Sequence, residues 1–188
     1  MPIPENCSIL GLPLETERLT LKSLVPDDFD DLFMLCTHPD ICRYIRPPMS
    51  REQVAQHIED RLQPWHMEEM KWYSLAVRQR GKSRMIGEMV FRLESVDHSR
   101  AEIGYRFHPD VAGMGFATEA SRAVVELLLN KMGLHKLSAY SHADNSQSRA
   151  LLERLGMQLE GRRREDMFSD GAWYDLCIYG MLHHEYLP

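Results

Sequence analysis

Residues 101–132, AEIGYRFHPDVAGMGFATEASRAVVELLLNKM, constrain the fold more than any other stretch. Residues 101–107 read as a strand, and His108-Pro109-Asp110 carries turn chemistry. The glycine-spaced segment Ala112-Gly113-Met114-Gly115-Phe116-Ala117 follows. Apolar residues then recur at Phe116, Ala120, Ala123, Val124, Leu127, Leu128 and Met132. Intervals of three and four put them on one face of a helix of about four turns. The first turn of a helix leaves its N–H donors unpaired and partially positive, and glycines let a ligand approach that backbone closely. Residues 112–118 therefore read as a pyrophosphate cradle, with a plain tight connection as the bland alternative. The segment lacks the Lys-Ser/Thr ending of a P-loop, and it has neither the position nor the spacing of a dinucleotide fingerprint.

The remainder of the chain narrows the class. Its 188 residues suit one domain able to bury a full core, and 44% apolar with 27% charged residues describes a soluble, folded chain. No apolar run reaches the roughly 18 residues of a membrane span, and no basic-then-apolar leader opens the sequence. Four cysteines (Cys7, Cys36, Cys42, Cys177) form no framework, which fits a reducing cytoplasm. A net charge of −6 argues against nucleic acid as a partner. The expectation is a cytoplasmic protein with no membrane and no nucleic-acid partner.

Read in order, residues 1–14 lie extended on the surface, and residues 18–23 alternate as a strand with Leu19 and Leu21 on one face. Asp27 or Asp28 caps a helix running to about Thr37. Ser50 caps a second helix with Val54, Ile58 and Leu62 inward, ending near Pro64. Residues 41–48 between them read as loop. Residues 72–78 and 85–94 are antiparallel strands around a turn at Gly81, and residues 136–142 form a strand after the central helix. Asn145 caps a helix over 146–155 that Gly156 ends, and the strands 157–165 and 173–181 are joined at Ser169-Asp170-Gly171. The order β α α β β β α β α β β predicts a mixed α/β or α+β sheet with helices on both faces, in a single domain over 1–188.

With these pieces placed, the chain resembles the GCN5-related N-acetyltransferase (GNAT) family, and within it the ribosomal-protein-alanine/serine acetyltransferase branch. The resemblance is carried by Glu15-Thr16-Glu17-Arg18-Leu19-Thr20-Leu21, Ala101-Glu102-Ile103-Gly104-Tyr105 and Gly113-Met114-Gly115-Phe116-Ala117-Thr118-Glu119-Ala120. Asn145-Ser146-Gln147-Ser148, Leu155-Gly156-Met157 and Asp170-Gly171-Ala172-Trp173-Tyr174-Asp175 complete it. It implies a mostly antiparallel seven-stranded sheet whose fourth and fifth strands splay apart. It implies acetyl-CoA as co-substrate, with the diphosphate on backbone N–H groups of Gly113, Met114, Gly115, Phe116, Ala117 and Thr118, and no metal. The pantetheine arm would pair with the open strand at Ile103, Gly104 and Tyr105, as an added strand does. The loop opens with Ala112 where the family places a side chain able to add a contact.

The implied chemistry is attack of an amine on a thioester, which needs a proton removed from the ammonium and a donor for the departing thiolate. Glu102, at the start of the strand beside the cofactor, is the first candidate base; its bland reading is a surface glutamate. Glu160 and Glu88 follow. Many relatives carry a tyrosine seven residues after the asparagine, where Leu152 stands here; the branch uses a serine at the position of Ser148. Ser148 and Asn145 are equally what a capped helix start shows, so thiolate donor and cofactor ligand compete with capping. The run Arg162-Arg163-Arg164 reads as a solvated face, with the 3′-phosphate of CoA as the alternative. The Cys36, His38 and Cys42 group is too small for a zinc site, and His142, Asp144 and Ser146 lack a nucleophile elbow. The acceptor is a protein N-terminus or a small-molecule amine, bounded by residues 36–70 and the last turn, with Tyr44, Trp65, Trp72 and Trp173 as wall or core. A non-catalytic CoA-binding module is the second hypothesis, and a homodimer is a family-level expectation.

Overall fold

The computed structural model describes residues 11–62, 65–169 and 171–187. Expectations for residues 1–10 (Cys7 included), for a helix end at Pro64 and for Asp170 in the last turn lie outside them. The strands are β1 (Leu14–Glu15), β2 (Leu19–Ser23), β3 (Trp72–Gln79), β4 (Met85–Ser95), β5 (Arg100–Phe107), β6 (Lys136–His142), β7 (Gln158–Ser169) and β8 (Ala172–Leu182). They form one sheet in the order β1-β2-β3-β4-β5-β6-β8-β7. Every pairing is antiparallel except β5 with β6. The sheet has eight strands, not seven. The extra one is the Leu14–Glu15 pair, which joins β2 at Leu14↔Leu21 and tucks Leu14 under the sheet edge. Two residues are too few to show a period, so no alternation marks them.

The helices are α1 (Phe29–Thr37), α2 (Pro39–Cys42), α3 (Arg51–Glu59), α4 (Phe116–Glu126) and α5 (Ser146–Arg154). Asp28 does stand before α1, but its carboxylate does not cap it. Asp28 Oδ2 accepts from the Val25 N–H at 3.0 Å, and its other oxygen pairs with the buried Arg78 guanidinium. Ser50 caps α3 in a reciprocal box with Gln53, and α3 ends at Glu59. Residues 41–48 are not all loop, because Pro39 opens the short α2, with His38 Nδ1 accepting from the Asp40 N–H. Beyond α4 the helix widens into a π-turn over Leu127–Lys131, closed by the Met132 N–H on Leu127 O. Leu127, Leu128 and Leu129 are all fully buried. Three consecutive residues span about 200° of an α-helix, more than one packed face covers, and the wider turn brings all three inward.

Strand alternation divides the core between the two faces of the sheet. Met89, Phe91 and Leu93 of β4 and Ala101 and Ile103 of β5 face α4 and α5, where they join Val124, Leu128 and Leu151. On the other face Ala76 and Met85 pack with Leu32, Leu35, Val54 and Ile58 of α1 and α3. The same alternation turns Glu88, Val90 and Arg92 of β4 and Glu102, Gly104 and Arg106 of β5 toward α1–α3, in register as Glu88↔Arg106, Val90↔Gly104 and Arg92↔Glu102. No described helix is long and apolar enough to cross a membrane.

Candidate active site

The parallel contact of β5 with β6 ends early. Its register runs Arg100↔Lys136, Ala101↔Leu137, Glu102↔Ser138 and stops, while β5 continues to Phe107 and β6 turns to pair with β8. Past Glu102 the β6-facing edge of β5 has no ladder partner, so the fourth and fifth strands of the sequence reading do splay. A cavity of about 400 Å³ fills the opening. Glu102, Ile103, Gly104, Tyr105, Asn145 and Ser148 all line it, as do Glu88, Arg106, His57, Arg61, Arg46 and Tyr44. A larger groove of about 790 Å³ runs between α4 and the segment before β2, and none of the candidate catalytic residues lines it.

The glycine loop reaches α4 through two residues of positive φ, Gly113 at 76° and Gly115 at 80°. Gly115 is the N-cap of α4, so no side chain competes for the first helical donors. The first intrahelical bond is Glu119 N–H to Gly115 O, which leaves the amides of Phe116, Ala117 and Thr118 without backbone partners among the described residues. Met114 differs: its N–H donates to Val111 O at 3.3 Å and its carbonyl accepts from Arg18 Nη1 at 2.9 Å. Phe116 points into the core with the Arg18 guanidinium over its ring, 4.5 Å from the centroid. Arg18 belongs to a clamp of its own. Glu119 accepts from Thr16 Oγ1 (2.6 Å), Arg18 N (2.9 Å) and Arg18 Nε (2.6 Å). Burial works to raise the Glu119 pKa, but Thr16 and Arg18 hold it below the ordinary carboxylate value. The clamp ties the start of β2 to the first turn of α4 and fixes the loop from behind. Both partners lie within the quoted motifs, but they are 101 residues apart, and nothing in either motif points to the other.

At the start of α5, Asn145 Oδ1 accepts from the Ser148 N–H at 3.0 Å, which is the capping arrangement. Ser148 Oγ lies 2.9 Å from the Tyr105 hydroxyl, which also reaches Ser148 O at 3.1 Å. Burial pushes the Tyr105 phenol up to about 12, partly offset by the Ser148 hydrogen bond, so it is a proton holder at any working pH. The hydroxyl absent at Leu152 thus has a counterpart from β5. Alternation with Gly104 along β5 is the sequence signal that the Tyr105 side chain faces α5.

The carboxylates divide by environment. Glu102 pairs with Arg92 (Nη2 at 2.6 Å, Nε at 2.8 Å), and burial raises its pKa against that partner's pull. Arg92 also lies over the Trp72 ring, 4.7 Å from its centroid. Glu88 is fully buried between His57 Nε2 (2.7 Å) and Arg106 Nε (2.8 Å). A carboxylate only accepts, so the His57 proton is on Nε2. Burial would raise the Glu88 pKa, but Arg106 and His57 together hold it at about 2. Glu160 sits on the edge strand paired with Lys136 at 2.6 Å, outside the cavity. Among the expected walls, Tyr44 and Trp72 line the cavity, and Tyr44 packs edge-on against His142. Trp65 is core, against Tyr73 and Phe91, and Trp173 pairs with Phe168 on the exposed last hairpin. Arg162 and Arg163 are solvated and paired with Asp175 and Asp166.

Comparison with known proteins agrees with this geometry. The acetyltransferase (GNAT) domain family matches residues 18–158. An uncharacterized N-acetyltransferase of Bacillus subtilis, YoaA, is 30% identical over 171 residues, covering 90% of this chain and 96% of that protein. The putative ribosomal N-acetyltransferase YdaF of the same organism is 31% identical over 87 residues, 46% of this chain and 48% of that protein. The fold superposes on a GNAT-family acetyltransferase from Bacillus anthracis with a TM-score of 0.80 at 23% identity, over 91% of this chain and 98% of that one. Sheet, open strand pair, glycine loop and sequence match converge: the chain belongs to the GNAT acetyltransferase family and is an N-acetyltransferase of it.

Proposed function

We propose that the opening between β5 and β6 takes acetyl-CoA and that the acetyl group passes to the α-amine of a protein N-terminus entering from the α1–α3 side. The observation that carries the donor half is the unpaired edge of β5 from Ile103 to Tyr105, beside a helix start whose donors are free. The residues fit the ligand. Amides of Gly113, Gly115, Phe116, Ala117 and Thr118 would hold the diphosphate, β5 would pair with the pantetheine arm, and the Asn145 side-chain amide, whose oxygen is used in the cap, keeps its N–H donors. Bound there, acetyl-CoA supplies an activated thioester carbonyl. Glu102 takes the proton of the incoming ammonium, directly or through water, and Arg92 orients it. Ser148 Oγ–H donates a hydrogen bond to the departing thiolate while Tyr105 O–H donates to Ser148 Oγ; both hydroxyls keep their protons, and the thiolate is protonated from solvent.

The strength of the base supports the acceptor class. Burial raises Glu102 and the Arg92 pairing pulls it back, which makes it a modest base. An α-amine has a pKa of about 7.7–8.0 and is partly free base at neutral pH, whereas an alkylamine near 10.4 is about one part in 10³ free. A modest base therefore suits an α-amine, and the name of the half-length match YdaF points the same way. The buried free thiols Cys36, Cys42 and Cys177 support a reducing cytoplasm as its location. We take residues 1–188 as one catalytic domain.

Thiol release from acetyl-CoA with a panel of peptide N-termini and polyamines tests the reading: peptides should turn over and polyamines should lag. CoA binding without turnover on any amine would make the chain a binding module. Glu102→Gln should lower kcat about 10²-fold and remove the acid limb of the kcat/KM profile; an unchanged limb removes the assignment. Arg18→Ala should raise the calorimetric Kd for CoA about tenfold and leave kcat at saturation nearly unchanged, because the clamp positions the loop without touching the reacting atoms.

A further inference from the structure

The charges around the cavity do not cancel. Its two carboxylates are each committed to a guanidinium, Glu88 to Arg106 and Glu102 to Arg92. Arg46, on the loop after α2, and Arg61, just past α3, also line it, and neither has a carboxylate within 4 Å among the described residues. Arg61 is the telling one. It is half-buried, its Nη1 is used on the His57 carbonyl at 3.1 Å, and its buried Nε meets no partner among the described residues. Burial lowers its pKa, a sign that its charge is held at a cost. Glu88 and Asp60 act on Arg61 only at a distance, while burial and the nearby Arg106 and Arg46 oppose its charge, and an anionic ligand group placed between the cations would relieve that crowding. Arg46 N–H donates to Cys42 O and Arg61 Nη1 to His57 O, so both arginines belong to the α1–α3 side, the side proposed above for the acceptor.

We infer that the acceptor is an amine carrying a carboxylate near its nitrogen, which Arg46 and Arg61 receive. The inference rests on the acetyltransferase reading above and specifies its substrate class. Guanidinium pairs carboxylates with two parallel hydrogen bonds, which fixes orientation as well as affinity. The same two charges repel a polyamine, so they select by exclusion too. Two sources present this chemistry: a free amino acid through its own α-carboxylate, or a peptide whose first or second residue is Asp or Glu.

The test compares matched acceptors on the full chain with saturating acetyl-CoA. Peptides with Asp or Glu at the first or second position are set against their Asn and Gln isosteres, free alanine against alaninamide, and spermidine is included. The acidic member of a pair should have kcat/KM at least about tenfold higher, and the pair that shows it names the source. Arg46→Gln and Arg61→Gln should each erase most of that preference through the acceptor KM, with the KM for acetyl-CoA unchanged. Arg61→Lys keeps the charge and should retain part of the preference, which separates charge from a folding defect. Equal rates on isosteres, preferred spermidine, or variants that raise the acetyl-CoA KM instead would each overturn the inference. No thiol release with any amine would instead sink the underlying reading, and calorimetry with CoA tells the two failures apart.

Discussion

Glu88→Gln should lose about 3–5 kcal/mol of stability, a fall in Tm of about 6–20 °C for a chain of this size. The substitution keeps the volume and removes only the charge. Arg106, whose side chain is 11% exposed, is then left in the interior with a cysteine sulfur at 2.9 Å and no anion. Leaving one charge of a buried pair without its partner costs more than the pair contributes net. Combining Glu88→Gln with Arg106→Met should therefore recover a large part of the loss, since no unpaired charge remains. The pH dependence has a definite sign. The folded carboxyl sits at about 2 against an ordinary 4.5, so its stabilisation is fully present above about pH 5 and fades as pH falls toward 2. Wild type and variant should converge in acid and differ most near neutrality. Chemical denaturation from pH 7 to pH 3 measures this, and a difference below about 1 kcal/mol at pH 7 would show that Glu88 is not a paired anion. The acid limb of the rate profile should not move in the variant at permissive temperature, because Glu88 is anionic throughout and committed to Arg106 and His57.

The pattern of what the sequence discloses follows from the range of each interaction. Strands with strict alternation were readable: Leu19 and Leu21 of β2 lie inward as their spacing demands. The α5 start was readable because Asn145 and Ser148 are three residues apart and meet through a local bond. β1 was not, since a two-residue bridge has no period, and the π-turn was not, since three adjacent leucines fit a helix pattern equally well. Candidate residues could be named where one element carries them, as at Glu102 and along the glycine loop. Site chemistry was hidden where two distant elements meet. The Arg18–Glu119 clamp spans 101 positions, the Tyr105–Ser148 contact 43 and the His57–Glu88 contact 31, with Arg106 joining the last from the neighbouring strand. Glu88 is the instructive case. Its position on β4 gave it the lowest rank among three candidate bases, and the same alternation that buried it beside Arg106 explains why it is a poor one.

Ser148→Ala and Tyr105→Phe should each lower kcat about 10²-fold, with the double variant hardly worse than either. Each hydroxyl has one proton. With Tyr105 O–H turned to Ser148 Oγ, the serine proton is free to point into the cavity. With Tyr105 O–H turned to the Ser148 carbonyl, it is not. If the pair serves the leaving thiolate as proposed, it acts as one unit with two settings, and removing either oxygen breaks the hydrogen-bonded chain, which is why the losses should not add. A thiolate leaves readily, since a thiol is acidic near 8.5, so the effect belongs at the lower end of acid catalysis. The buried phenol held near 12 remains protonated through the whole working range, so it can donate a hydrogen bond to Ser148 Oγ but cannot act as a base. A merely structural role is separable. Loss of the α5 cap alone would come from Asn145→Ala, costing about 1 kcal/mol of stability, while Ser148→Ala keeps the N–H that the cap uses. Steady-state kcat with a peptide acceptor, read beside the Tm of each variant, decides it. Unchanged turnover in both single variants, or losses that multiply in the double, would remove the hydroxyl pair from the mechanism.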